Sequence, residues 1–81
     1  MTKEAIFEKI SDIIKEQLHN TALEITLETT LQDDLAVDSI AFMEFIINLE
    51  DEFKLDIPDE DVENMQSIDE IVNYLYHRLT Q

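Results

Sequence analysis

Asp38-Ser39-Ile40-Ala41-Phe42-Met43-Glu44-Phe45-Ile46-Ile47-Asn48-Leu49-Glu50-Asp51-Glu52-Phe53 is the stretch on which the fold turns. At roughly 100° per residue, Phe42, Phe45, Ile46, Leu49 and Phe53 share one broad arc, which predicts a helix from about Ser39 to Phe53. That arc is wide enough to be the core-facing side by itself. Ile40, Met43 and Ile47 fall on a different arc, flanked by Glu44, Glu50 and Asp51. A surface helix needs one apolar stripe, and this one has two. Either the helix lies centrally and buries both, or the second stripe is partly exposed. Exposed apolar residues rimmed by charge are typical of a docking face, and the flexible Met43 suits contact with several surfaces.

Working outward, apolar residues at Ile6, Phe7, Ile10, Ile13, Ile14 and Leu18 predict a first helix over about Lys3 to Leu18. Thr2 is placed to cap it, and Asn20 to end it in a left-handed conformation. Residues 19–37 read as a long connection pinned to the core by Ile25, Leu27, Leu31 and Leu35. A connection of that length is uncommon in a compact domain and is often functional. After Pro58 comes a short acidic segment of one or two helical turns, with Val62 and Met65 turned inward. Ser67-Ile68-Asp69-Glu70 is a capping box that opens a last helix burying Ile68, Ile71, Val72, Leu75 and Leu79. The expected architecture is all-α, with three main helices, one short helix and a long first loop. It forms one domain over residues 1–81, with no strand, repeat or low-complexity tract.

Composition narrows the function. The 81-residue chain is near the size at which a single core is only just sufficient, and its 44% apolar content is enough to build one. No apolar run approaches the roughly 18 residues of a membrane span, and no signal peptide is evident, so the expected compartment is the cytoplasm. The absence of cysteine removes disulfides, thiolate metal sites and a cysteine nucleophile, and the absence of glycine removes Gly-rich phosphate loops. Acidic residues outnumber basic ones 20 to 5, and the resulting formal charge of −15 disfavours nucleic acid and anionic membranes while attracting basic protein surfaces. Between Asp33 and Glu63 there are twelve acids and a single base, Lys54, a concentration that favours a docking surface over a diffuse solubilising charge.

Asp38 and Ser39 stand at the entrance of the second helix. In isolation an Asp-Ser pair is most simply a helix cap. The same helix end, however, offers unpaired N–H groups and a partial positive charge suited to a phosphate ester on a serine hydroxyl. The run Asp33-Asp34-Leu35-Ala36-Val37-Asp38-Ser39-Ile40 resembles the attachment motif of the acyl carrier proteins, commonly written D-L-G-A-D-S-L. Glu44 stands where that family has a helix acid. Leu49-Glu50-Asp51-Glu52-Phe53 is similar to its L-E-x-E-F stretch, and Ile57-Pro58-Asp59-Glu60 to its I-P-D-E turn. The resemblance spans essentially the whole chain.

The resemblance implies a four-helix bundle of acyl-carrier type with phosphopantetheine attached at Ser39, next to Asp38. A separate magnesium-dependent phosphopantetheinyl transferase installs the arm from coenzyme A, and the arm's thiol holds acyl groups as thioesters. The chain itself is not an enzyme, and Ser39 is a passive attachment point. Ile40, Met43, Glu44, Ile47, Glu50 and Asp51 are then the face for acyl-transfer and synthase enzymes with basic docking patches. Val62, Glu63 and Met65 extend that face or border the space where an acyl chain folds in. A monomer serving fatty-acid or related synthesis is implied. An aminoacyl or peptidyl carrier and an acidic interaction module with no prosthetic group are the alternatives.

The chain departs from the family pattern where Ala36 and Val37 replace the usual glycine and alanine, which stiffens the loop. Ala41 removes an acid common two residues after the serine, and Phe42 adds bulk beside it. His19 and His77 are far apart with no cysteine to join them. The acids Asp56, Asp59, Glu60, Asp61 and Glu63 lack the spacing and glycine of a calcium loop. No metal site and no catalytic residue is expected from either group.

Overall fold

The computed structural model describes residues 1–80 and contains four helices: α1 (Lys3–Gln17), α2 (Ser39–Phe53), α3 (Asp59–Val62) and α4 (Ile68–Leu79). The fold is the expected all-α bundle of three main helices and a short one, with a long loop between α1 and α2. α1 packs against both α2 and α4. Its Ile6, Ile10 and Ile14 meet Phe42, Phe45, Ile46 and Leu49 of α2 and Ile68, Ile71, Val72 and Leu75 of α4 in one buried core. Burying each such side chain contributes about 1.5–3 kcal/mol. Truncating a fully buried one such as Leu49 to alanine costs about 2–5 kcal/mol, a large part of a small domain's stability.

The helix ends follow from their caps. Thr2 Oγ1 accepts the Ala5 amide at 3.1 Å to open α1. At its other end the left-handed residue is His19 (φ 53°) and not Asn20. The His19 amide donates to the Glu16 carbonyl and the Asn20 amide to the Lys15 carbonyl, which closes the last turn one residue earlier than expected. Asn20 instead accepts the Ala22 amide with its side chain and bends the exit chain. The capping box of α4 is present, with Ser67 and Glu70 each accepting the other's amide.

The loop over residues 18–38 is braced onto the start of α4. The Ile68 amide donates to the Thr29 carbonyl at 2.9 Å and the Asp69 amide to the Leu27 carbonyl at 2.8 Å, so all of α4's first-turn donors are satisfied. Thr30 and Ser67 form an isolated antiparallel bridge. Leu31 anchors the loop by its side chain, 1% exposed, and Ile25 and Leu35 are half-buried. Leu27 differs from expectation. Its side chain is 47% exposed, because its anchorage is through the backbone carbonyl. Leu79 also differs. It is the last residue of α4 and is 36% exposed, while Tyr76 one turn earlier meets Lys3 at the start of α1 (Nζ 5.2 Å from the ring centroid).

Without glycine, three described residues adopt positive φ: His19, Ala36 and Lys54, each near 54°. A Cβ in that region costs on the order of 1 kcal/mol per residue. Two of the three end helices and the third sets up the entry to α2.

Candidate functional site

The site begins in the loop. The Asp34 carboxylate accepts from the Thr30 amide at 2.8 Å, and the Asp34 and Leu35 amides return to the Thr30 carbonyl. This closed turn delivers Ala36 in its left-handed conformation and Val37 into the core, 7% exposed, with its amide on the Leu31 carbonyl. Val37 was not among the expected anchors. Its β-branched side chain, two residues before the serine, is the one sequence sign of a buried contact there.

Asp38 is the N-cap of α2. Its Oδ1 accepts the Ala41 amide at 2.8 Å, and its carbonyl accepts the Phe42 amide at 2.8 Å. That leaves Ser39 as the first helical residue, exposed, with a hydroxyl that makes no hydrogen bond to any described residue. The amides of Ser39 and Ile40 have no acceptor among the described residues either, in contrast to the filled first turn of α4. An exposed hydroxyl is thus set beside two free donors at the positive end of a fifteen-residue helix. Attached through an ester, a phosphate would meet those donors, so the residues present fit a phosphopantetheine group.

The two arcs of α2 separate cleanly. Phe42, Phe45, Ile46, Leu49 and Phe53 are buried, whereas Ile40, Met43 and Ile47 are 75%, 42% and 58% exposed. α2 therefore does not bury both stripes. Glu44 and Asp51 are exposed beside the outer arc. Glu50 is only half-buried, because its Oε2 accepts the Ile57 amide at 2.9 Å and ties α2 to the segment leading into α3. Glu63 is exposed at the end of α3, while Val62 and Met65 are buried. Of the two placements expected for Val62, it takes the inner one. Between α1, the first loop and α2, a crevice lined by Ile14, Gln17, Leu18, Leu31, Val37 and Phe45 has a volume of about 10 Å³, room for roughly one water.

On the other side of α3, Tyr74 of α4 donates to Asp61 Oδ2 at 2.7 Å. Arg78 donates to the Tyr74 hydroxyl and, at 2.8 Å, to the Asp56 carbonyl. Burial, and then the hydrogen bond to Asp61, raise the Tyr74 pKa above the ordinary phenol value. Tyr74 and Arg78 are one turn apart on α4, but nothing in the sequence pattern pairs either with Asp61, which lies 13 positions before Tyr74 on α3. Among the described residues, no helix is long and apolar enough to cross a membrane.

The family model described as "Phosphopantetheine attachment site" matches residues 8–75. The chain is 44% identical over 70 residues to the acyl carrier protein of Clostridium acetobutylicum, covering 86% of this chain and 91% of the relative. It is also 44% identical over 75 residues to that of Lactobacillus johnsonii, covering 93% and 94%. The solved structure of the Enterococcus faecalis acyl carrier protein superposes with a TM-score of 0.78 at 38% identity, over 95% of this chain and 98% of that one. The open hydroxyl on a capped helix and the match over most of the chain agree, and the protein belongs to the acyl carrier protein family, the non-catalytic carriers of acyl groups linked through phosphopantetheine.

Proposed function

We propose that Ser39 is the attachment residue and that the chain, as a single carrier domain, delivers acyl intermediates to enzymes of fatty-acid or related synthesis in the cytoplasm. The observation that carries this reading is the division of labour at the start of α2. Asp38 performs the capping, so the neighbouring hydroxyl has no structural duty and stands open to a modifying enzyme.

The roles of the residues follow from their surroundings. The phosphate of the arm would lie against the free amides of Ser39 and Ile40, with Asp38 holding the helix end in shape. When bound, the group supplies a thiol on a long flexible arm, which holds acyl groups as thioesters. Ser39 needs a base to make its hydroxyl nucleophilic, and Asp38 already accepts the Ala41 amide, so the base comes from the transferase. Ile40, Met43 and Ile47 form an apolar contact surface, and Glu44, Asp51 and Glu63 give it an acidic rim. Such a rim speeds encounter with basic surfaces and rejects acidic ones, which suits a monomeric carrier that visits several enzymes in turn. Glu50 contributes less to that rim because its carboxylate is held by Ile57.

The test is intact mass after incubation with coenzyme A, magnesium and a broad-specificity phosphopantetheinyl transferase, run beside Ser39→Ala. A gain of one phosphopantetheine, lost in the variant, is the expected result. A folded protein that gains nothing, or a variant that still gains the group, would overturn the assignment of Ser39.

A further inference from the structure

The chain has no cysteine, so before any arm is attached its sulfur is confined to three methionines. The fold treats the three differently. Met65 is 0% exposed and belongs to the core. Met1 is 59% exposed at the chain terminus, outside every helix. Met43 is 42% exposed on the outer arc of α2, with Ile40 three residues before it and Ile47 four residues after. That spacing sets the thioether in the middle of the apolar stripe, one turn from each isoleucine. Met43 is thus the one methionine whose chemistry acts on the docking face.

An accessible thioether is a common target of oxidation, and the oxidant suited to this one is neutral. Glu44 and Asp51 stand exposed beside the arc on a chain of formal charge −15. Such a surface holds off anionic oxidants and leaves hydrogen peroxide free to approach. The step then needs no further reagent. The Met43 sulfur attacks one peroxide oxygen, an S–O bond forms, and the O–O bond breaks. The second oxygen leaves as water with both hydrogens. Sulfur is oxidised by two electrons and the peroxide is reduced by two.

Resting on the docking role given to this arc above, we propose that Met43 is a peroxide-sensitive modification site whose sulfoxide weakens docking of the arm-free chain, reversibly. The sulfoxide is polar where the thioether was apolar, and reductases return it to methionine. A partner that covers the stripe covers the new oxygen with it. The neighbouring carboxylates of Glu44 and Asp51 are acceptors, like the sulfoxide oxygen, and offer it no hydrogen. An uncompensated polar group on a covered apolar surface weakens binding by about tenfold. The bundle itself is unaffected, because Met43 lies outside the core that Met65 helps to fill.

In the experiment, arm-free wild type and Met43→Leu are treated with hydrogen peroxide, which catalase then removes. Peptide mass mapping locates the added oxygen. The rate of arm transfer from coenzyme A by a phosphopantetheinyl transferase with magnesium reads docking. Wild type is expected to gain oxygen at Met43 and to be modified about tenfold more slowly at low carrier concentration. The loss should shrink at saturating carrier, as for a lost binding contact. The unfolding midpoint should not move, and methionine sulfoxide reductases of both stereospecificities should restore the rate. Met43→Leu, compared with its own untreated sample, should keep its rate although Met1 is still open to oxidation. Oxygen at Met1 or Met65 but not at Met43 would overturn the site. An unchanged rate after Met43 is oxidised, or an equal fall in Met43→Leu, would overturn its control of docking. An untreated protein that gains no arm would sink the carrier reading and this regulation with it, an outcome that the untreated control sets apart from the others.

Discussion

Asp38→Ala and Ser39→Ala, adjacent substitutions of similar size, should have opposite consequences. Among the described residues, Asp38 Oδ1 is the only side-chain acceptor for α2's first-turn amides, at 2.8 Å from the Ala41 nitrogen. Removing it strands a third donor beside the two already free and costs about 1 kcal/mol, within the 0.5–2 kcal/mol range of lost caps. For 81 residues the unfolding entropy is about 0.17 kcal/mol per degree, so the midpoint should drop by about 6 °C. Ser39→Ala removes a hydroxyl that bonds to none of the described residues and substitutes a better helix former, so the midpoint should hold or rise slightly. Asp38→Asn, which keeps a capping oxygen, should recover most of the loss. The assay is thermal unfolding of the unmodified proteins followed by far-ultraviolet circular dichroism. A drop in Ser39→Ala as large as that in Asp38→Ala would show that the serine is the cap, and the separation of structural and attachment roles would collapse.

Ala36→Gly relieves a left-handed alanine, a gain of about 1–2 kcal/mol, against about 0.5–1 kcal/mol for the freer unfolded chain. Urea denaturation should therefore show a net stabilisation of about 0.5–1 kcal/mol, and a destabilisation would mean the residue is unstrained. Glu44→Lys should leave unfolding unchanged and slow transferase modification at low salt. Glu50→Lys should do both kinds of damage, losing about 1–3 kcal/mol as the Ile57 amide is left without its acceptor; equal stability of the two variants would argue against that tie. Tyr74 has a raised folded-state pKa, so its contribution is intact below the unfolded phenol value near 10 and is lost as pH climbs through the folded value. A pH titration of stability should show an alkaline decline that is reduced in Tyr74→Phe.

Periodicity made most of the bundle legible. The core arc of α2, the capping box of α4 and the inward Val62 and Met65 all follow from spacing, because a helix places residues three and four apart on one side. The limits of that reading are just as physical. Leu27 looks like an anchor by composition, but a loop residue is held equally well by its carbonyl, and hydropathy carries no record of backbone hydrogen bonds. His19 in place of Asn20 reflects where the last α1 turn closes, a one-residue matter that residue preference alone does not resolve. At the site, the sequence supplied both Asp38 and Ser39 as cap candidates, and only geometry assigned the task to Asp38. The double use of Glu50 and the Tyr74 cluster depend on contacts between elements, where local pattern is silent.

The outer arc of α2 also has a colloidal side. Ile40, Met43 and Ile47 make an adhesive patch on a particle of formal charge −15. When two copies approach patch to patch, Glu44 and Asp51 of one meet their own counterparts, and at physiological salt that repulsion reaches about 8 Å, far enough to act before the apolar surfaces touch. Near 1 M salt the reach contracts to about 3 Å, and the patch loses its guard. The charges proposed to invite basic surfaces thus also oppose self-association, and that opposition weakens as ionic strength rises.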